Sequence, residues 1–391
     1  MGPLHGVKIL DLSVMISGPL SAMILGDQGA EVIKVESPGL GDLMRFLGSS
    51  KAGMTGIFIG NNRGKRSLAV DVKRPEGLDI IRRLIAGADV LIQNFRPGAM
   101  ERLGLAYDDV RDINPALIYV SISGFGADGP KSNRRVYDNV IQASSGLASV
   151  QVDATTGQPA LFRTLICDKV TALTAAQAIT AALFARERGT AGGQHITLAM
   201  LDAAVAFVWP DSAMDATLLD DDVKRTNTIG AAYVATQFAD GYAAVSAVSD
   251  SEFAGYFRAV GHPELVDDDR FATMASRMGN LKVLGPMLKQ FCLETPLADF
   301  LRRAEEFDVP AAAIISIVEL PDDPQILHNE VFVVHEHPVA GRIREPRPAA
   351  RFGATAAFAG SPAPTYGEHS NEIVAELGLD PVALRAAGVI S

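Results

Sequence analysis

The chain has 391 residues, 48% hydrophobic and 21% charged, which is the composition of a soluble globular protein and long enough for two domains. Its 35 basic and 46 acidic residues leave a net charge of −11, which argues against a nucleic-acid partner but leaves room for a local basic pocket around a phosphorylated ligand. Two cysteines, Cys167 and Cys292, cannot build a disulfide framework; with no signal peptide and no membrane-length apolar run, the expectation is a cytoplasmic protein without a membrane partner.

In chain order, the pattern predicts a strand over 7–12, a helix over about 20–27 after Ser17-Gly18-Pro19, and a strand over 31–35. Strand, helix and strand at this spacing form a right-handed βαβ unit. Its first turn lacks GxGxxG, so the dinucleotide fingerprint is missing. The turn still sets backbone N–H groups and a helix start at the carboxyl edge of a strand, the usual seat of an anionic ligand. The loop Asn61-Asn62-Arg63-Gly64-Lys65-Arg66-Ser67 precedes a strand over 68–72; its cations fit either a phosphate contact or a solvated loop. Pro75 opens a helix over 75–86, and a strand over 89–93 leads into Asn94-Phe95-Arg96-Pro97-Gly98 and a helix carrying Arg102. A strand over 116–123 ends in a glycine-rich turn, and the next segment supplies Arg134, Arg135, Tyr137 and Asp138. The succession is that of an α/β domain with a mainly parallel sheet.

A polar loop over 153–158 leads to Asp168, which stands just before a long helical run over 170–188 ended by Gly189. Asp168 is then either a helix N-cap, contributing ~1 kcal/mol, or a carboxylate held ionised by the helix end and available as a nucleophile. A helix over 197–208 is ended by Trp209 and Pro210. The expected organisation is a large domain over 1–212, a linker over 213–232, a smaller α+β domain over 233–317, and a return to the large domain over 318–391. The small domain reads as a hairpin over 233–247 and helices over 251–260, 280–291 and 297–306. The return reads as short strands within 333–351 and a last helix from about 371.

Other chemistries find no support in the pattern. The seven histidines show no HExxH or paired-ligand spacing, and His335 and His337 alone do not make a metal site. GxSxG and GxxxxGK[ST] are absent. Cys167 sits in an apolar run and reads as a small buried hydrophobe.

Six stretches in order, LDLSVMISGP with GAEVIKVESPGLGD, NNRGKRSLAVD, ADVLIQNFRPGAMERLGL, LIYVSISGFGADGP, CDKVTALTAAQAI with GQHITLAM, and APTYGEHS, resemble the family III CoA-transferases over nearly the whole chain. The resemblance implies a Rossmann-like large domain made by both chain ends, a smaller domain between, and a homodimer of interlocked rings. It implies an acyl-CoA and a carboxylic acid as substrates, with no metal and no tightly bound cofactor. Asp168 matches the family's nucleophile, which forms an aspartyl anhydride and then an aspartyl-CoA thioester. Ile16 and Ser17 match the turn near the thioester. Lys65 and Arg66 match cations near the CoA phosphates, Arg102 lies near the nucleotide portion, and Arg135 matches another CoA contact. Tyr137 matches a Tyr near the nucleophile. The related α-methylacyl-CoA racemases carry His there, and a phenol of pKa ~10 is a poor partner for two-sided proton transfer, which favours transferase over racemase. A CoA-ester-binding protein without turnover is a further alternative. Ile16 stands where oxalate-specific members have Gln, and residues 226–238 lack their Gly-rich lid loop. Apolar Met15, Ile16 and Phe125 hint at a larger or less polar acyl group.

Overall fold

Short runs of β-branched and aliphatic residues build the central sheet. The computed structural model describes residues 1–153, 156–226 and 228–391. Positions 154, 155 and 227 lie outside the described residues, and with them parts of the expected loop over 153–158 and of the expected linker over 213–232. The described residues divide into two units, Met1–Thr217 with His328–Ser391, and Leu218–Leu327.

In the first unit the elements run β1 (Lys8–Asp11), α1 (Ser17–Asp27), β2 (Glu31–Glu36), β3 (Lys65–Ala69), α2 (Pro75–Ala86), β4 (Val90–Gln93), α3 (Ala99–Leu103), β5 (Ile118–Ser123), α4 (Asp138–Ser144), α5 (Ile166–Glu187), β6 (Gln194–Ala199) and α6 (Met200–Ser212). Six strands pair in the order β3-β2-β1-β4-β5-β6, all parallel. Chain order reverses between β1 and β4, and in such sheets a ligand crevice opens there, outside the carboxyl ends of the strands.

Both faces of the sheet are covered, which is why its strands read as nearly continuous apolar runs. Ile9, Val32, Val90 and Ile118 pack under α1, α5 and α6 through Ala22, Leu25, Ala175, Ile179 and Ala204. Leu10, Leu68, Leu91 and Tyr119 face the other way, onto Ile80, Ile81 and Ile85 of α2. The chain's end completes that second layer. After the hairpin β10 (Phe332–His337) and β11 (Gly341–Pro346), helix α10 (Ser370–Glu376) brings Ile373 and Val374 into it, and Val389 and Ile390 follow.

The structure departs from the sequence pattern at three places. The strand expected over 68–72 runs over Lys65–Ala69, so two cations placed in a loop belong to a strand. The helix expected over 197–208 is two elements, β6 and α6, and Pro210 lies inside α6 instead of ending it. Helix α5 begins at Ile166, so Asp168 lies within its first turn and not before it.

The second unit carries β7 (Thr236–Gln237), β8 (Tyr242–Val245), α7 (Asp250–Ala259), α8 (Leu281–Glu294), α9 (Leu297–Glu306) and β9 (Ala311–Ala313). Its antiparallel strands stand in the order β9-β8-β7. Its core holds Phe238, Tyr256, Cys292 and Phe300. Among the described residues no helix is long and apolar enough to cross a membrane.

Candidate active site

The carboxyl ends of β1, β4 and β5, with the starts of α5 and α6, bound a cleft that is partly open to solvent. Val14, Met15 and Ser17 reach it from β1, Asn94 to Pro97 from β4, Ile122 to Gly124 from β5, and Met200 from α6. Arg134, Arg135, Tyr137 and Asp138 close one side, and Asp168 lies within. The fold thus joins at the chain reversal residues that are up to 186 positions apart, from Val14 to Met200.

Close approach at this point depends on a glycine. A Cβ on Gly124 would stand 2.2 Å from a methyl of Val136, so only Gly lets the 134–137 segment lie against the end of β5.

Asp168 is held by a second acid. The N-cap of α5 is Leu165, which offers no side-chain acceptor. Instead, buried Asp138 accepts the Asp168 N–H on Oδ2 at 2.9 Å, and takes an N–H of Gln142 on Oδ1 at 2.6 Å. The Gln142 amide also donates to the carbonyls of Phe162 and Thr164 and accepts the Phe162 N–H, which fixes the segment entering α5. Capping is therefore done by Asp138 from 30 residues away, and the Asp168 carboxyl is free for other work.

Burial, and next the negative charge of Asp138, push the Asp168 carboxyl up to about 7, against the hydroxyl and backbone N–H of Ser17. It is half-buried and shares the cleft with exposed arginines. A carboxyl poised near neutrality in such a place is ionised enough to attack and basic enough to bond. Cys167 is no competitor. Its thiol is fully buried and pushed up to about 12 by burial and by Asp138 and Asp168.

A sequence model of CoA-transferase family III matches residues 4–370. The chain belongs to that family. It is 36% identical to the succinyl-CoA:glutarate CoA-transferase of Homo sapiens over 96% of this chain and 86% of that protein. It is 33% identical to the succinate–glutarate CoA-transferase of Agrobacterium fabrum over 96% of both. A CAIB/BAIF family protein of Brucella suis superposes with a TM-score of 0.84 at 32% identity, covering 96% of this chain and 99% of that one.

Of the residues that the resemblance assigned to this CoA-transferase, the structure brings Ser17, Arg135, Tyr137 and Asp168 to one cleft. Ile16 is the N-cap of α1, but its buried side chain packs with Met44, Met54 and Phe58 instead of lining the cleft. Phe125 packs against the core under α1 and α5, beneath the Lys131 ammonium. Arg102 is exposed on α3 and does not line the cleft.

Lys65 and Arg66 require a correction. The Lys65 ammonium is buried, with its donors spent on Asp11, the Pro19 carbonyl and Asn62 at 2.8, 2.8 and 2.9 Å. It has no donor left for a phosphate. Arg66 binds Glu372 and Glu376 and lines a separate cavity with Lys8 and Glu31, at the amino ends of the strands.

The sequence pattern brings up Asn94, Arg96, Arg134 and Asp138 without a role for any of them, and does not single out Gln142. The spacing of Asp138 and Gln142, four apart on a helix, was a readable signal. Asn94 is marked only by its place after a strand end, and its amide grips both the N–H and the C=O of Val14, at 2.9 and 2.8 Å. Among the described residues no group of His, Cys, Asp and Glu is arranged to hold a metal ion.

Proposed function

We propose that this CoA-transferase moves CoA from an acyl-CoA to a free carboxylic acid, with Asp168 as the covalent nucleophile. The observation that carries the reading is the Asp168 carboxyl, uncommitted to capping, near pKa 7, and open to a cleft at the chain reversal of the sheet. An Asp168 oxygen attacks the thioester carbonyl carbon, the C–S bond breaks, and CoA thiolate leaves an aspartyl anhydride. The thiolate then attacks the aspartyl carbonyl and releases the first acid, leaving an aspartyl-CoA thioester. The incoming carboxylate reverses both steps and regenerates Asp168. The first turn of α5 and the Ser17 donors favour the negative charge that each attack moves through the site.

Arg96, Arg134 and Arg135 are exposed in the cleft, and guanidinium forks suit phosphate and carboxylate groups. Arg135 there, and Arg102 beyond the cleft, are the proposed CoA contacts. Succinyl-CoA and C4–C5 dicarboxylates are the first substrates to try, since two relatives are named for succinyl or succinate and glutarate. The homodimer belongs to the same proposal; α5 exposes Leu173 and Phe184, and α6 exposes Phe207 and Trp209, as a chain covered by a partner would.

The test is a panel of acyl-CoA donors and carboxylic acids read by mass spectrometry, run in parallel in deuterium oxide with a 2-methylacyl-CoA. New CoA esters without α-deuteration are expected. α-Deuteration without transfer would replace the proposal with the racemase reading, and neither activity would favour a CoA-ester-binding protein.

A further inference from the structure

One residue of the cleft wall has a backbone that its side chain disfavours. Met15 has φ of 65°, in the left-handed region that residues other than glycine rarely adopt. It lies between β1 and α1, two residues before Ser17. Such a conformation persists only when its surroundings over-determine it, and here they do. The Met15 N–H points at both oxygens of Asp42, each at 3.2 Å. Asp42 is fully buried, accepts the Met44 N–H at 3.0 Å, and is paired with the buried Lys34 ammonium at 2.9 Å. Lys34 in turn donates to the Ser13 carbonyl at 3.1 Å, so one ion pair grips the turn on both sides of Val14. Asp42 does not itself line the cleft and reaches its wall through the Met15 N–H.

We propose that Asp42 is a positioning residue for the Asp168 centre: its carboxylate holds the left-handed Met15 turn and thereby keeps Ser17 facing Asp168 across the cleft. The inference rests on the acyl-transfer reading of the same site. Buried charges of this kind are expensive to maintain for stability alone, and fixing one geometry is their better-attested use.

The test is Asp42→Asn, made alone and together with Met15→Gly, and read in two ways. The first is the pH midpoint of carbodiimide modification at Asp168, followed by peptide mass, which needs no acyl-CoA. The other ionisable groups around that carboxyl (Asp138, Cys167, Tyr137, Arg96, Arg134 and Arg135) are unchanged in the variants. The second is kcat and KM for transfer. With Met15 present, Asp42→Asn should raise the midpoint by about half a pH unit or more and lower kcat about tenfold, with KM for the CoA ester changed less than about threefold. In the Met15→Gly background, where the turn has no side-chain cost, the same substitution should leave the midpoint in place and cost less than about threefold in kcat. If Asp42→Asn does not fold, Asp42→Glu keeps the charge facing Lys34 and carries the same expectations. An unmoved midpoint, or an equal loss in both backgrounds, would overturn the proposal. A midpoint that moves in a protein with no transfer activity would fault the acyl-transfer reading and not this one.

Discussion

Asp138→Asn isolates the electrostatic part of the site. In the native chain burial is the larger cause that lifts the Asp168 carboxyl from 3.8 to about 7, and the Asp138 charge is the second. Removing the second cause should lower the midpoint by about one pH unit, equivalent to ~1.4 kcal/mol. The amide of Asn can still accept the Asp168 N–H, while the Gln142 N–H loses an acceptor but keeps the carbonyls of Phe162 and Thr164. The structural cost should then be near the ~1 kcal/mol of one hydrogen bond, and the fold should survive. The sign follows directly. Asp168 attacks as the carboxylate, so kcat/KM should rise with pH through about 7 in the parent and reach its plateau about one unit earlier in the variant. At pH 6 the variant should therefore retain a larger share of its own plateau rate. The assay is the pH profile of single-turnover acylation, with thermal unfolding as a control. A midpoint that stays in place or moves upward in a folded variant would refute the reasoning.

Other outcomes follow from the same geometry. Arg135→Ala and Arg102→Ala should each weaken CoA-ester binding about tenfold, a charge-assisted contact being worth ~1.5–3 kcal/mol, as read by calorimetry at two salt concentrations. Parent-like binding in both variants would remove them from the CoA contacts. Lys65→Met should leave Asp11 buried without its ammonium at 2.8 Å and cost ~3–5 kcal/mol in denaturant unfolding. A stable variant with weakened CoA binding would instead restore Lys65 to the phosphate site. If the proposed dimer is of interlocked rings, which part only by unfolding, sedimentation at nanomolar concentration should find dimer and no folded 41.4 kDa species. A compact monomer would contradict the interlocked arrangement.

Much of the fold could be read because its signals are local. Pro75 marks the start of α2, and the helix expected from it over 75–86 is Pro75–Ala86 in the structure. The strands could be located because both faces of the sheet are buried. Where the sequence misled, the deciding interactions were not local. Lys65 and Arg66 looked like loop cations, yet one neutralises Asp11 within the fold and the other meets two glutamates more than 300 residues away. Gln-His-Ile-Thr-Leu-Ala runs directly into a helix, and only pairing along β5 makes it a strand. Asp168 resembled a cap because the residue that serves the helix start, Asp138, lies 30 positions earlier. The clamp on Met15 was also hidden, since nothing in the pattern shows that Asp42 turns inward.

The most direct measurement is chemical trapping at Asp168. The enzyme would be mixed with succinyl-CoA, quenched with hydroxylamine or borohydride, digested, and the peptide carrying Asp168 weighed, with Asp168→Asn alongside. The expected result is a hydroxamate or reduced residue at Asp168 alone, absent in the variant, whose transfer falls by several orders of magnitude while its fold remains. Rapid CoA transfer with Asp168 unmodified, or transfer that persists in the folded Asp168→Asn variant, would contradict the account.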